Sequence, residues 1–151
     1  MTDIDRIMYL IDWKRSPAEQ QEGIALAREV VCINAFFQPI SSEYSKSVWD
    51  NCAAIICERS DEELRPYLTD MLLWLEDLNW PGAEQIQQRL IEFQDVSMLA
   101  SDLDSFVAAL EKLDKTSWLY FISDLLRNKN LSQAINSNTK AILNKYTLHC
   151  I

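Results

Sequence analysis

The side chains of this chain that could perform chemistry are few and widely spaced. The one histidine, His149, precedes Cys150 near the end of the chain, where polypeptides tend to fray. A structural zinc site or a cysteine–histidine nucleophile there would need a further ligand or thiol. Cys52 and Cys57 lie five positions apart on a predicted helix, which turns them about 140° away from each other. We therefore expect neither a metal centre nor a Cys–His site.

Pairs of neighbouring carboxylates are the other candidates for chemistry. They occur at Glu62 and Glu63, at Glu76 and Asp77, and at Asp102 and Asp104. Such pairs could hold a hard cation or transfer protons, but acids at exposed helix ends usually cap the helix and keep the protein soluble. A glycine-rich phosphate loop is excluded because Gly23 and Gly82 are the only glycines. The sequence predicts no catalysis, no cofactor, no metal and no small-molecule substrate.

The distribution of charge is more informative than any single residue. The net charge is −9, and residues 58–114 hold 14 of the 23 acidic side chains against four basic ones. The segment 115–151 is instead basic, with a net charge of +4. A negative surface repels nucleic acid and attracts basic groups. We therefore expect a basic protein partner; charge that only keeps the chain soluble would give the same pattern.

The composition indicates which class of fold must position these residues. Two glycines and four prolines are far fewer than the roughly 18 that average usage gives for this length. Sheets and α/β folds consume both residue types at their turns, whereas helices with short connections need few. With 48% apolar residues, the chain predicts one all-α domain over residues 1–151 that is stable without disulfides.

The cysteines and the apolar segments predict the compartment. The four cysteines, Cys32, Cys52, Cys57 and Cys150, are dispersed among apolar neighbours, so we expect them to be buried and reduced. The first residues lack the basic start and apolar run of a signal peptide, and no segment approaches the 18 apolar residues of a membrane span. A cytoplasmic location without membrane attachment is the prediction.

Two serines mark predicted helix starts. Ser16-Pro17-Ala18-Glu19 is a capping box with proline at the first helical position, and the helix it opens is predicted to run to about Asn34. Residues 60–63 form a second capping box. Because Pro66 follows one turn later, the next helix must either begin near Arg65 or be kinked there.

Helical periodicity predicts about seven helices with short connections, an arrangement typical of stacked helical hairpins of the HEAT or armadillo kind. The clearest hairpin joins a helix that ends near Leu78 to one opened by Pro81. Its seam is predicted to consist of Leu68, Met71, Leu72, Leu75, Ile86, Leu90 and Phe93. The last helix, within residues 131–148, is the weakest because residues 136–139 are poor helix formers.

The run Leu-Leu-Trp-Leu-Glu-Asp-Leu-Asn-Trp-Pro-Gly-Ala at residues 72–83 is the most distinctive in the chain. Asn79 is predicted to end one helix or cap the next, Trp80 to cover the hairpin and donate its indole N–H, and Pro81 to set the entry angle. Together with Trp74 they are interpreted as a hairpin staple. An exposed aromatic binding site at the two tryptophans is the alternative interpretation.

This run resembles the signature of a domain-of-unknown-function family of small, mainly bacterial helical-repeat proteins. Residues 48–52 and 62–68 are similar to segments of its members, so the resemblance covers about residues 45–95. It implies a HEAT-like fold and no known activity. Some small acidic proteins of this general type resemble immunity proteins that neutralise bacterial toxins, which implies a protein partner and assigns no binding residue.

Two functions are compatible with the sequence. The first is a non-catalytic protein-interaction module, such as an immunity or adaptor protein, that presents an acidic face to a basic partner. The residues predicted for this face are Asp61, Glu62, Glu63, Glu76 and Asp77. The alternative is a nucleic-acid-associated helical-repeat protein whose basic C-terminal segment contacts phosphate. The residues predicted for that contact are Arg127, Lys129, Lys140 and Lys145.

Overall fold

The computed structural model describes residues 3–147 and confirms the all-α fold, with no strand in that part of the chain. The α-helices are α1 (Asp3–Leu10), α2 (Pro17–Ala27), α3 (Gln38–Ser41), α4 (Trp49–Cys57), α5 (Asp61–Leu64), α6 (Leu68–Trp74), α7 (Ala83–Ile91), α8 (Val96–Lys112), α9 (Thr116–Ser123), α10 (Lys129–Ala134) and α11 (Ser137–Thr147). Short 3-10 helices lie at Asn34–Phe36, Lys46–Val48, Arg65–Tyr67 and Asp124–Arg127. The helices expected from periodicity are thus divided into shorter segments.

Both predicted capping boxes form. Ser16 Oγ accepts a hydrogen bond from the Glu19 backbone N–H, and the Glu19 carboxylate accepts one from the Ser16 N–H. Ser60 and Glu63 exchange the same pair of bonds at the start of α5. After α5, the 3-10 turn Arg65–Tyr67 contains the proline, and α6 begins beyond it. The first of the two alternatives for this segment is therefore the observed one.

The end of α2 differs from the prediction. The helix stops at Ala27 rather than near Asn34. Arg59 donates hydrogen bonds from Nη2 to the carbonyl oxygens of Ala27 and Val30, which takes up carbonyls that a helix end leaves free. The sequence that follows is rich in β-branched residues, which are less favourable in helices. A distant arginine and local propensity together end the helix early.

The predicted interruption of the C-terminal helix is confirmed, since α10 ends at Ala134 and α11 begins at Ser137, and an asparagine caps the start of each of the two helices. Asn128 accepts a hydrogen bond from the Leu131 N–H and caps α10. Asn136 does the same for the Thr139 N–H at the start of α11. Asparagine is a poor residue inside a helix and a good one at its N-cap, so the same residues that stop one helix begin the next.

The predicted seam residues are all buried, since none is more than 2% exposed, and they belong to one apolar cluster that extends from α1 to α11. The main neighbour of α7 is α4, while α6 contacts α3, α7 and α8. The hairpin seam is therefore one part of a larger core. No helix within residues 3–147 has the length and apolar character that crossing a bilayer requires.

The cysteines do not all follow the prediction of burial. Cys52 is buried and Cys57 is half-buried, and both are free thiols. Cys32 is exposed, because the segment after α2 runs along the surface, where the neighbouring Val31 is 93% exposed. The prediction is wrong for Cys32, and Cys150 lies outside the described residues.

Candidate interaction groove

The connection between α6 and α7 is shaped by one glycine. Helix α6 ends at Trp74, earlier than the predicted Leu78, and α7 begins at Ala83 rather than at Pro81. Gly82 is the N-cap of α7, and Leu75 is the C-cap of α6, so the prediction that Asn79 ends one helix or caps the next is wrong. The φ of Gly82 is 84°, which favours glycine. A Cβ there would lie 2.6 Å from the Cβ of Ala53. The glycine therefore lets the connection lie directly on α4.

Three indole rings fix this connection in place. Trp74 is 0% exposed and donates a hydrogen bond from Nε1 to the carbonyl oxygen of Pro81 at 3.1 Å. The indole that closes the connection is thus that of Trp74 and not, as predicted, that of Trp80. The ring of Trp49 packs edge-on against both, with centroid distances of 6.2 Å to Trp74 and 5.7 Å to Trp80. Because Trp74 is fully buried, an aromatic binding site could use only the half-buried Trp80.

A cavity of about 440 Å³ opens beside the Trp80 ring. Residues 78–82 form one wall, and Asp50 of α4 with Glu84 and Gln85 of α7 form the other walls. Gln85 Nε2 donates a hydrogen bond to the Asp50 carbonyl oxygen at 3.1 Å, so the two helices are tied together at the cavity. The most distinctive segment of the sequence therefore lines an open space.

A second cavity of about 420 Å³ continues along α7 and shares Glu84 and Gln85 with the first. Its other lining residues are Cys57, Gln88, Arg89 and Glu92. We call the two adjacent cavities, bounded by Asp50, Cys57, residues 78–82, and the exposed side of α7 from Glu84 to Glu92, the α4–α7 groove.

The groove is acidic, and its acids lack a cation. Asp50 and Glu84 are exposed, and neither carboxylate forms an ion pair or a hydrogen bond with another described residue. Glu92 accepts a hydrogen bond only from the amide of Gln88, at 3.0 Å. The one cation lining the groove within residues 3–147, Arg89, is already bound to Asp61. The groove thus presents three carboxylates to solvent.

The groove also contains a thiol that is not reactive. Cys57 Sγ lies 3.5 Å from the carbonyl oxygen of Gln85 and donates to it. Burial raises the pKa of Cys57 to about 12, with the nearby Arg89 opposing that rise. The thiol is therefore protonated at neutral pH and acts as part of the wall, because only the thiolate is an effective nucleophile or metal ligand.

Three of the five acids predicted for a partner face have bonds within the chain. Asp61 binds Arg89 at 2.7 Å and also accepts hydrogen bonds from two backbone N–H groups. Glu63 completes a capping box and pairs with Arg59, whose hydrogen bond holds the pKa of Glu63 below its ordinary value. Asp77 accepts a hydrogen bond from the Asn79 N–H at 2.8 Å.

The other two acids of that set, Glu62 and Glu76, are exposed and form no side-chain bond with any described residue. Glu62 lies on α5, while Glu76 lies beyond the end of α6, with the 3-10 turn Arg65–Tyr67 between the two helices. The structure therefore places the five acids near the two ends of the segment 61–77 and not in one patch.

Sequence reasoning missed the groove acids Asp50, Glu84 and Glu92. They come from two helices that are not adjacent along the chain, so no local spacing links them. One signal was available. A glycine in a helix connection indicates that another element approaches closely, and at Gly82 that element is α4, through the Trp49 carbonyl oxygen and the Ala53 Cβ.

The basic residues of the alternative function lie near the C-terminal end of the fold. Arg127 ends a 3-10 helix, Lys129 begins α10, and Lys140 and Lys145 lie on α11. None of the four forms a salt bridge within the described residues, whereas Arg6, Arg15, Arg28, Arg59, Arg65 and Arg89 each pair with an acid. These cations remain available to an anionic ligand.

The described residues contain no group of three histidine, cysteine or carboxylate side chains that could hold a metal ion. The acid pairs considered for cation binding therefore stand apart from further ligands in that part of the chain. His149 and Cys150, the other candidates for a metal or nucleophilic site, lie outside the described residues.

The fold and the groove together define a small all-α protein with an open acidic cleft. The residues that build the groove all lie within residues 46–146, the region that matches the model of a protein family described as a domain of unknown function, DUF5071. The match spans more than half of the chain, and the chain belongs to this family. No curated protein and no solved structure matches the chain.

Proposed function

We propose that this protein is a non-catalytic interaction module, built of HEAT-like helical pairs, that binds a basic protein through the α4–α7 groove. An immunity or adaptor role is the form of this function that we favour. The observation that carries the proposal is that Asp50, Glu84 and Glu92 line the groove and have no cation to neutralise them among the described residues. The groove therefore offers negative charge to a partner and not to the rest of the fold.

The charge around the groove supports this function physically. Acidic side chains outnumber basic ones by ten over residues 58–114, and the exposed Glu62 and Glu76 add to the field outside the groove. A field of one sign raises the rate at which a partner of opposite charge associates, and added salt weakens it over about 10 Å at 0.1 M ionic strength. Asp61, Glu63 and Asp77 contribute charge to this field but are held by bonds within the chain.

The direct test is capture of a partner from the native host with the full-length chain. The test variant reverses the three groove acids together: Asp50→Lys, Glu84→Lys and Glu92→Lys. The matched control reverses three exposed acids outside the groove: Glu29→Lys, Glu43→Lys and Glu111→Lys. Both variants change the net charge equally, so only a specific groove separates them.

We expect a captured basic protein to be lost from the groove variant and kept by the control. Its association rate should fall as salt is raised. A partner that both variants bind equally well would contradict the groove, and the charge would then serve solubility alone. A third variant, Glu62→Lys with Glu76→Lys, tests the exposed acids of the face predicted from the sequence.

Nucleic-acid binding is the second candidate function, because the four C-terminal cations have no acidic partner among the described residues. Fluorescence anisotropy with labelled single-stranded and duplex oligonucleotides at low salt tests it. Binding that weakens with salt and is lost in the triple variant Lys129→Gln, Lys140→Gln and Lys145→Gln would support this function. A chain that binds neither oligonucleotide at about 50 mM salt does not have it.

A further inference from the structure

We propose that the cavity beside Trp80 receives one arginine side chain of the partner. This inference rests on the proposed function and names the group that enters the groove. The cavity is lined by an aromatic ring and by two unpaired carboxylates that come from different helices. These are the groups that a planar cation binds through its face and its edge.

The first contribution is the indole of Trp80. Trp80 is half-buried and lines the cavity, and its ring is in T-shaped contact with that of Trp49 at an interplanar angle of 85°. Trp49 is itself 6% exposed, so the Trp80 ring is supported by the core and has little freedom to turn. A fixed tryptophan face is the strongest aromatic partner for a cation among the side chains.

The second contribution is the pair of carboxylates. Asp50 projects from α4 and Glu84 from α7, and the hydrogen bond from Gln85 to the Asp50 carbonyl oxygen ties the two helices at this level. An arginine presents five N–H donors in one plane, so it can bind a carboxylate through two bonds and stack on an indole at the same time. A lysine ammonium offers no plane to stack, and we therefore assign the cavity to arginine.

The other charged groups near the cavity do not fill it. Lys46 lies with Nζ 5.6 Å from the centroid of the Trp49 ring and is not among the residues that line the cavity. Arg89 lies in the neighbouring cavity and is bound to Asp61. The positive N-terminus of α7 opposes a cation, and Glu84 in its first turn offsets that effect.

The volume also fits. A cavity of about 440 Å³ lies in the range of 300–1,000 Å³ that is typical of small-ligand sites. It has room for a guanidinium group together with its methylene stem. A side chain that inserts into a pocket is the usual anchor of a protein interface, and arginine is enriched among such anchors.

The test uses N-acetyl-L-arginine amide as the probe and heteronuclear NMR of the full chain as the measurement. We expect saturable shifts of the Trp80 indole N–H and of the Glu84 and Gln85 amides at millimolar probe. N-acetyl-citrulline amide has nearly the same shape without the charge and should bind at least about tenfold more weakly. The Asp50→Asn and Glu84→Gln variants should lose most of the shift, while the control Glu111→Gln should keep it.

Three results would overturn the arginine assignment. They are no shift at the named groups with about 50 mM probe, equal shifts with the citrulline amide, and equal or tighter binding of N-acetyl-lysine amide. These failures leave the proposed function untouched if the groove variant still loses its captured partner. Conversely, if arginine amide binds the cavity but the groove variant still captures the partner, the proposed function is overturned, and with it the assignment of the bound arginine to that partner; only the preference of the cavity for arginine remains.

Discussion

The carboxylate of Asp61 accepts a hydrogen bond from the guanidinium of Arg89 at 2.7 Å, and this contact joins the start of α5 to the end of α7. The side chains are 23% and 13% exposed, so the pair is largely screened from water. The second oxygen of Asp61 accepts hydrogen bonds from the backbone N–H groups of Gln94 and Asp95, which precede α8. One side chain therefore joins three elements.

Replacing Asp61 by alanine should lower the free energy of unfolding by about 2–4 kcal/mol. The change leaves the Arg89 cation without its partner in a mostly buried place and frees two backbone donors. Chemical denaturation measures it. The control is Glu62→Ala, the adjacent exposed acid, which should shift stability by less than about 0.5 kcal/mol. Equal effects of the two changes would show that the contact with Arg89 adds nothing.

The Gly82→Ala substitution should destabilise the fold by about 2–4 kcal/mol. The left-handed backbone at this position disfavours a side chain, and the new methyl group would also meet the carbonyl oxygen of Trp49 at 2.9 Å. Thermal and urea unfolding both measure the effect. Asn79→Ala in the same connection should be nearly neutral because that side chain is exposed. A neutral Gly82→Ala would mean that the connection does not lie on α4 as described.

The Leu72→Ala substitution should cost about 2–5 kcal/mol, because it removes a fully buried side chain and leaves a cavity. Leu113→Ala is the matched control, since Leu113 is 65% exposed and loses little on truncation. The measured quantity is the midpoint of chemical denaturation. Coinciding midpoints for the two variants would place Leu72 outside the core.

Stability should fall in acid as the capping carboxylates take up protons. Hydrogen bonds from Arg15 and Arg59 hold the pKa values of Glu19 and Glu63 below the ordinary value of 4.5. Because the folded pKa is the lower one, each carboxylate stabilises the fold above about pH 4.5 and loses that contribution as the pH falls through its folded pKa. The denaturation midpoint should therefore decrease between about pH 5 and pH 3.

The double variant Glu19→Gln and Glu63→Gln is the check on this assignment. Glutamine does not titrate, so the variant should start less stable at neutral pH and lose less on acidification. A variant whose midpoint falls as steeply as that of the parent would show that other groups cause the acid sensitivity.

Thiol reactivity should distinguish the cysteines. In a Cys150→Ser variant, one thiol of the native protein should react rapidly with a disulfide reagent at about pH 8. That thiol is the exposed Cys32. Cys52 is buried, and burial raises the pKa of Cys57 to about 12, so the Cys57 thiol is almost entirely protonated at that pH. Denaturant should expose all three. A second rapidly reacting thiol in the native protein would contradict the burial of Cys52 and Cys57.

The sequence predicted the features that depend on neighbours along the chain. The capping boxes at Ser16 and Ser60 are complete within four residues, and the seam residues repeat at helical spacing, so both could be identified in advance. The end of α2 could not, because it depends on Arg59, about 30 residues away. The sequence alone also does not show whether Trp74 or Trp80 donates the indole hydrogen bond to the Pro81 carbonyl oxygen, because this depends on how deeply each ring is buried.

The groove escaped prediction for the same reason. Asp50 and Glu84 line one cavity only because α7 packs on α4, and the contact of Asp61 with Arg89 likewise joins two helices, α5 and α7, that are distant along the chain. The spacing of apolar residues along one helix predicts which side of that helix is buried, but it does not predict which other helix packs against that side. Some of the acids predicted to bind a partner, such as Asp61 and Glu63, therefore form ion pairs within the fold instead.

The border of the family match does not coincide with a border in the fold. The region 46–146 begins after α1 and α2, yet the Asn51 side chain donates hydrogen bonds to the Ile11 carbonyl and the Gln20 amide oxygen. The Arg59 bonds to the end of α2 cross the same border, and Met8 lies against Cys52 in the core. A fragment starting at residue 46 would leave Asn51 and Arg59 without these hydrogen-bond acceptors and would expose apolar surface. The region that matches the family model and the apolar core thus have different limits, and a fragment that begins at residue 46 should be less stable than the full chain and prone to aggregation.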